Sequence, residues 1–184
     1  MKNIILFLII IFYFSNCKNE NKDLKNIEYA NNKTLNKIFY FPDTLEILNK
    51  DSVITYETYN LLYGNIKRPK IVTFIWGDCH VCISKIEKWD SIISKNILGD
   101  SLSYILVIST SDKDYFLRNF YREYNNIDKM IIDTNDIFFK LNDINNNPEN
   151  NTFLLDKNNI IKFTGNPVVY DKLIDSYRKV LLKL

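Results

Sequence analysis

Short apolar runs and helical stripes alternate along most of the chain. Largely apolar runs, typical of buried strands, cover 71–76, 102–108 and 130–132. Helices are predicted, mostly from apolar residues at three- and four-residue spacing, over 83–95, 112–124, 136–141 and 170–184. Two more short strands, 152–155 and 160–163, flank a turn of Asp, Lys and Asn residues and predict a hairpin. The alternation predicts an α/β domain with a sheet between helices.

The pattern ahead of this alternation is weaker. Residues 38–41 and 45–48 predict two short strands, because each is apolar and Pro42 and Asp43 stand between them. The pattern over 53–63 is ambiguous between strand and helix. The sequence therefore predicts additional strands in this part of the chain, but it does not predict their positions in the sheet.

Two predicted helices carry stripes that are expected to pack inward. Ser111 or Asp112 is the candidate N-cap of the helix over 112–124. The inward side chains of that helix are expected to be Tyr115, Phe116, Phe120 and Tyr124. The final helix places its stripe on Leu173, Ile174, Tyr177, Val180, Leu181 and Leu184. Packing against a sheet is the expected role of both stripes.

The N-terminus has the pattern of an export signal. Residues 4–14 are apolar without a break, whereas roughly 20 apolar residues are needed to span a bilayer as a helix. Cys17 follows at the end of this run, and its setting resembles the lipobox of bacterial lipoproteins. Phe14 and Asn16 depart from the usual lipobox residues. The alternative is ordinary secretion, with Cys17 discarded or left as a free thiol.

These features predict a division of the chain into segments. Residues 1–16 are expected to be a lipoprotein signal peptide, and 17–33 a lipidated Cys17 followed by a polar tether. Residues 34–184 are expected to be the folded domain. The expected location is the bacterial cell envelope, with the domain attached to a membrane by its lipid and facing the periplasm.

Composition and charge exclude one class of partner. Hydrophobic residues make up 46% of the chain, which is ordinary for a globular protein. The 24 Lys and Arg residues nearly balance the 22 Asp and Glu residues, so the formal net charge is only +2. The charges are interspersed, and no basic face for nucleic acid is predicted.

The candidate chemistry lies where the strand over 71–76 meets the helix that follows. The turn carries Cys79 and Cys82 with two residues between them. The free N–H groups and positive dipole end of a helix start favour the thiolate of Cys79 over the thiol. A thiolate attacks disulfides, and Cys82 is placed to resolve the mixed disulfide. The pattern therefore predicts a dithiol/disulfide redox centre that needs no organic cofactor.

Three neighbouring side chains are expected to shape this centre. Trp76 would form the rim where a partner docks. His80, if protonated, would add positive charge next to Cys79, and the alternative is an exposed side chain with little influence. Asp78 would act in the opposite direction by favouring the protonated thiol.

Metal binding and a purely structural disulfide are the alternatives to redox chemistry. A structural zinc site wants four ligands, but the sequence offers one cysteine pair, and His80 lies inside its loop. No metal site is therefore predicted. A disulfide between Cys79 and Cys82 closes only a four-residue loop, which adds little stability in the chain-entropy model. Redox use is the favoured interpretation.

Three stretches, together with this motif, resemble a known family. They are 39–43, 71–89 and 152–156 continuing to 165–167, and the likeness covers nearly all of 38–184. The chain resembles thioredoxin-like lipoproteins of the TlpA/ResA group, in the divergent form seen in Bacteroidetes. The resemblance implies a thioredoxin-like fold, with a central mixed β-sheet flanked by helices. It also implies a cell-envelope thiol–disulfide oxidoreductase whose partners are the thiols or disulfides of envelope proteins.

The chain departs from this family at one position beside the expected site. Thioredoxin-like proteins usually carry a cis-proline directly before the strand that faces the cysteines. That position falls on Asn150 here, with Pro148 two residues earlier. We expect that the cis bond is absent, because it is essentially a proline feature. This departure keeps open a second interpretation, in which the protein is a lipid-anchored binding or redox-sensing protein without turnover.

Overall fold

The computed structural model describes residues 27–28, 31–43, 46–49, 52–55, 68–99, 102–120, 129–144 and 151–184. The strands are β1 (Glu46–Asn49), β2 (Ser52–Thr55), β3 (Lys70–Trp76), β4 (Ser103–Ser109), β5 (Lys129–Asp133), β6 (Thr152–Leu155) and β7 (Ile161–Thr164). The helices that follow β3, β4, β5 and β7 are α1 (His80–Ser94), α2 (Lys113–Asn119), α3 (Ile137–Asn142) and α4 (Leu173–Leu181). Residues 31–34 are also helical.

The strands form one mixed sheet in the order β2-β1-β5-β4-β3-β6-β7. β3, β4 and β5 are parallel neighbours, and the remaining pairs are antiparallel. Parallel neighbours require crossovers, and helices α1 and α2 lie in the two crossovers. The hairpin predicted after residue 151 is present as β6 and β7, and Asn159 in its turn adopts a left-handed backbone with φ 62°. The predicted mixed sheet flanked by helices is confirmed.

Both faces of the central strands are buried, which explains why their sequences are largely apolar. Alternate residues of β3 point to opposite sides. Ile71 and Ile75 belong to the core under α1, α2 and α4, which includes the fully buried Trp89. Val72 and Phe74 belong to a second core on the other face. A strand covered on both faces is apolar at nearly every position, and the buried Thr73 of β3 shares a hydrogen bond with the hydroxyl of Thr152.

Helix α2 corrects one expectation about inward side chains. Asp112 is its N-cap and accepts a hydrogen bond from the backbone N–H of Tyr115 at 2.8 Å. Phe116 is fully buried as predicted, but Tyr115 is 43% exposed. Tyr115 lies one position before Phe116, which rotates it by about 100° away from the buried line of the helix. Tyr124 lies outside the described residues.

The final helix ends earlier than its apolar stripe. Leu173 and Tyr177 are buried, but α4 stops at Leu181 and Leu184 is 48% exposed. The prediction that Leu184 packs inward is therefore wrong, because the helical spacing that would carry it to the core ends three residues before it. The other members of the stripe pack on the core.

Packing reaches into residues that the sequence assigns to the tether. Ile27 is buried in the core under α1. The side chain of Asn31 donates to the carbonyl of Thr164 at 3.0 Å and accepts from its backbone N–H at 2.7 Å. The Asn31 amide thus pairs with the outer edge of β7 as a strand backbone would. Residues 1–26, with the expected signal peptide and Cys17, lie outside the described residues. In the part of the chain described, no helix is long and apolar enough to cross a membrane.

Candidate active site

The site begins where parallel strands end at one edge of the sheet. Trp76, the last residue of β3, is level with Ser109, the last residue of β4. The N–H of Gly77 then donates to the carbonyl of Ser109 at 2.7 Å. A Cβ on Gly77 would lie 2.9 Å from side-chain atoms of both Ile108 and Thr110. Glycine is therefore required here, because the backbone of the turn lies directly against β4.

Cys79 is the N-cap of α1, which begins at His80, three residues before the start predicted from the sequence. Its backbone is extended (φ −117°, ψ 110°), and its Sγ accepts a hydrogen bond from the N–H of Cys82 at 3.2 Å. Its carbonyl accepts from the N–H groups of Cys82 and Ile83, which starts the helix. The Sγ therefore lies at the N-terminus of the helix, where the N–H of Cys82 is shared between the sulfur and the Cys79 carbonyl.

Cys79 and Cys82 are joined by a disulfide, with 5.1 Å between their Cα atoms. Both residues are partly exposed, so that the bond lies at the surface and a second protein can approach it. When this bond is reduced, the N–H of Cys82 and the dipole of α1 remain in place to stabilise a thiolate on Cys79. The geometry has the parts that thiol–disulfide exchange requires: a nucleophile, a second thiol one turn away, and access.

The side chain of Asp78 is directed to the connection between β4 and α2. Its carboxylate accepts hydrogen bonds from the hydroxyl of Thr110 and from the backbone N–H of Ser111, the latter at 2.8 Å. Burial alone would raise the pKa of Asp78, but the hydrogen bonds from Thr110, Ser111 and Asp112 outweigh it and lower the pKa. Asp78 therefore keeps its negative charge while it joins the cysteine turn to the next segment.

Two aromatic contacts define the surroundings of the disulfide. Trp76 is partly buried, and its ring centroid lies 5.9 Å from that of Phe139 on α3. His80 is exposed at the first position of α1, with its ring perpendicular to Phe120 at a centroid distance of 5.8 Å. Val81 is 75% exposed between the two cysteines. The surface beside the disulfide therefore includes the exposed Val81 and the His80–Phe120 ring pair.

A buried polar network that the sequence analysis did not single out supports β3 from the other side. The Asn151 side chain donates to the carbonyl of Phe74 at 2.6 Å, and the backbone carbonyl of Asn151 accepts from the N–H of Phe74 at 2.9 Å. Asn166 donates to the Asn151 side chain at 3.1 Å. Asn151 and Asn166 are each only 1% exposed. The amide of Asn151 thus extends the hydrogen-bonded pairing of β3 and β6 beyond Thr152, as far as Phe74. Phe74 lies two residues before Trp76 in β3.

The sequence could have indicated the Thr110 contact but not the Asn151 contact. Parallel alignment of the two central strands pairs Trp76 with Ser109, which places the residues after each strand side by side. The Asn151 contact instead joins residues 77 positions apart through a side chain, and a side-chain amide leaves no periodic pattern. Pro148 and Asn150, the candidates for the cis-proline position, lie outside the described residues.

Within the described part of the chain, no three His, Cys, Asp or Glu side chains come together in a way that could hold a metal ion. Cys79 and Cys82 are the only described side chains of the site with a sulfur donor, and they are bonded to each other. No set of described residues is therefore assigned to a metal.

No protein-family model matches the chain, and no curated protein matches it either. Solved structures do. A Chlorobium tepidum protein described as thiol:disulfide interchange protein DsbE is 15% identical, with a TM-score of 0.54 over 80% of this chain and 99% of that one. The exposed lipoprotein thioredoxin Etrx1 of Streptococcus pneumoniae is 17% identical, with a TM-score of 0.52 over 77% of this chain and 99% of that one.

The same fold also occurs in proteins of other descriptions. ScoI of Arabidopsis thaliana, in a structure with copper bound, is 14% identical, with a TM-score of 0.54 over 79% of this chain and 99% of that one. At such identities the likeness establishes the fold and nothing about the reaction. The chain has a thioredoxin-like fold, which confirms the prediction from the sequence. Its function has to be argued from its own cysteines.

Proposed function

We propose that this protein is a thiol–disulfide oxidoreductase of the bacterial cell envelope. The observation that carries the proposal is the Cys79–Cys82 disulfide, partly exposed, with Cys79 as the N-cap of α1. The neighbours that share the fold and are described as thiol–disulfide proteins support it. Cys79 is the attacking residue and Cys82 the resolving residue, and Trp76, Asp78 and His80 shape the surface around them. Asn150 takes the place of the usual proline.

The reaction runs in two displacements. The Cys79 thiolate attacks one sulfur of a partner disulfide, so a mixed disulfide forms, the partner's bond breaks, and the partner's second sulfur leaves as a thiolate that takes up a proton. Cys82 then loses its proton and attacks the Cys79 sulfur, which forms the intramolecular bond and releases the partner's first sulfur. Two electrons have moved from the cysteine pair to the partner. A dithiol protein in the envelope returns them.

The proposed location is a membrane surface of the envelope, reached through a lipid on Cys17. The support is the sequence: an apolar run too short to span a bilayer ends just before this cysteine. Residues 1–16 are the proposed signal peptide, residues 17–33 the tether and residues 34–184 the domain, with Ile27 and Asn31 packed on it. The proposed relatives are the divergent TlpA/ResA-type lipoproteins of Bacteroidetes.

Reduction of insulin by dithiothreitol tests the enzymatic proposal. The full chain carrying Cys17→Ser, in detergent, leaves only Cys79 and Cys82 as thiols. We expect this protein to accelerate insulin reduction and the additional change Cys79→Ser to return the rate to that of dithiothreitol alone. Ser84→Ala, an exposed change on the same helix, is the matched control and should keep the full rate. An identical rate with and without Cys79 would contradict the proposal that the protein is a thiol–disulfide oxidoreductase and would favour a binding or sensing protein.

Metabolic labelling with a fatty acid in the bacterial host tests the anchor separately. We expect label on the wild-type chain and none on Cys17→Ser, because a thiol at residue 17 is the proposed site of lipidation. Equal labelling of the two chains would end the proposal of a lipid anchor and leave the enzymatic proposal intact.

A further inference from the structure

The charge of Asp78 is fixed at the residue directly before the attacking cysteine. Consecutive Cα atoms are about 3.8 Å apart, and the N–H of Cys79 donates to the carbonyl of Trp76 at 3.3 Å, which closes the turn that holds the two residues. The Thr110 hydroxyl accepts from the N–H of Asp112 at 3.2 Å, so its own hydrogen is free to be donated to the Asp78 carboxylate. The carboxylate is thereby held in one place and in its charged form.

Two opposing fields therefore act on the sulfur of Cys79. The N-terminus of α1 favours a thiolate there, and the N–H of Cys82 points at the sulfur. The Asp78 carboxylate disfavours a thiolate, because like charges repel each other. In the disulfide form the sulfur is neutral, and the carboxylate meets no charge. The repulsion thus raises the free energy of the reduced, ionised pair alone.

We propose that Asp78, held by Thr110 and Ser111, is a positioning residue that makes the Cys79–Cys82 pair a better electron donor. This inference rests on the proposed function and deepens it, because it assigns the direction of electron flow: the dithiol form reduces disulfides of other proteins. The strength of the cysteine pair as an electron donor can be measured at equilibrium, without enzymatic turnover. In this equilibrium, protein disulfide and two molecules of glutathione give protein dithiol and glutathione disulfide.

Other charged groups near the turn are already engaged elsewhere or lie further along their elements. Lys113 at the start of α2 pairs with Glu46 of β1. Asp136, before α3, accepts a hydrogen bond from the hydroxyl of Ser109 at 2.8 Å. His80 packs against Phe120, and the remaining carboxylates of this region are Asp112, the cap of α2, and Asp114 in its first turn. Of the described carboxylates, Asp78 is the one adjacent in sequence to a cysteine.

The experiment compares glutathione equilibria of the full chain in detergent, with Cys17→Ser as the common background. Asp78→Asn keeps the shape and hydrogen-bonding oxygen but removes the charge. We expect its equilibrium constant for reduction to rise roughly three- to tenfold at pH 9, above the ordinary pKa of a cysteine thiol, about 8.5. A tenfold change corresponds to about 30 mV in a two-electron couple. The difference should shrink at pH 5, because a protonated thiol does not feel the charge.

Two matched variants separate the charge from its surroundings. Asp78→Glu retains the charge and should return the equilibrium to that of the wild type. Asp114→Asn removes an equal charge from the exposed first turn of α2 and should leave the equilibrium unchanged. An unchanged equilibrium in Asp78→Asn, or an equal shift in Asp114→Asn, overturns the inference. If Asp78→Asn shifts the equilibrium but the protein fails to reduce insulin, the effect of Asp78 on the cysteine pair stands, and the proposed enzyme and the direction of electron flow are wrong.

Discussion

Two turns of this chain are each held by an aspartate, and only one of them carries sulfur chemistry. Asp156 follows β6 and accepts hydrogen bonds from the N–H groups of Asn158 at 2.8 Å and Ile160 at 2.9 Å. Asp78 follows β3 and bonds to Thr110, which is 32 positions away. Asp156 therefore closes a local hairpin, whereas Asp78 joins the cysteine turn to a separate segment.

The electrostatics of the two carboxylates are alike, but their neighbours differ. Burial alone would raise the pKa of each, and hydrogen bonds to the charged form outweigh it, so both pKa values are lowered. The charge of Asp156 meets a cation, because Nζ of Lys162 lies 3.4 Å from its Oδ2. The charge of Asp78 stands next to a cysteine instead. A hydrogen-bonded aspartate thus stabilises the hairpin at Asp156. In the turn that carries Cys79, called the site turn below, the charge of Asp78 disfavours a thiolate.

The largest expected effect belongs to Gly77→Ala in the site turn. The new Cβ would lie 2.9 Å from Ile108 and Thr110, so the turn must move away from β4. We expect the free energy of unfolding to fall by about 1–3 kcal/mol and insulin reduction to slow, measured by urea unfolding and the insulin assay.

Gly99→Ala is the control for that change. Gly99 has φ +100° and no heavy atom within 4 Å of an added Cβ, so the substitution strains the backbone without touching the site. It should lower the free energy of unfolding by about 1 kcal/mol and leave the insulin rate unchanged. A wild-type rate in Gly77→Ala would contradict the claim that contact with β4 positions the cysteines.

A smaller effect is expected from Asp156→Asn in the hairpin. Removing the charge should lower the free energy of unfolding at pH 7 by roughly 1 kcal/mol and leave the glutathione equilibrium unchanged. The pKa of Asp156 is lower in the folded protein than its ordinary value of 3.8. Its contribution to the free energy of unfolding is therefore fully present above pH 3.8, and it is lost as the pH falls through the pKa of the folded state. Urea unfolding between pH 7 and pH 2 should show the two chains converge. A constant difference over that range would contradict the assignment.

The smallest effect is expected from Thr110→Val in the site turn. Asp78 loses its hydroxyl donor but keeps its charge and the N–H of Ser111. The pKa of Asp78 should rise toward its ordinary value of 3.8, while the free energy of unfolding at pH 7 falls by about 0.5 kcal/mol. NMR titration of the carboxyl carbon measures this pKa. A value equal to that of the wild type would show that the Thr110 hydroxyl does not hold the carboxylate.

The central strands and the site turn could be predicted from the sequence because their signals are local. Largely apolar runs identify β3 and β4, and the cysteine spacing at a strand-to-helix boundary places Cys79 at the start of α1. The hairpin over 152–164 is equally local, since its turn residues stand between two short strands. In each case neighbouring residues alone determine the element.

The contacts that brace these elements could not be predicted in the same way. Asn151 bonds to Phe74, and Asn31 bonds to Thr164 across 133 positions. Each uses a side-chain amide as a substitute for a strand backbone, and this role depends on which segments the fold brings together. The chain is rich in Asn, so that the two residues do not stand out by type.

Trapping of a mixed disulfide shows which of the two cysteines attacks a disulfide. The chain carrying Cys17→Ser and Cys82→Ser is incubated with glutathione disulfide, beside the chain carrying Cys17→Ser and Cys79→Ser, and peptide mass spectrometry measures the adduct on the remaining cysteine. We expect rapid formation of a glutathione adduct on Cys79 and slow formation on Cys82, because only Cys79 is the N-cap of α1. Equal rates at the two residues, or faster reaction at Cys82, would contradict this expectation.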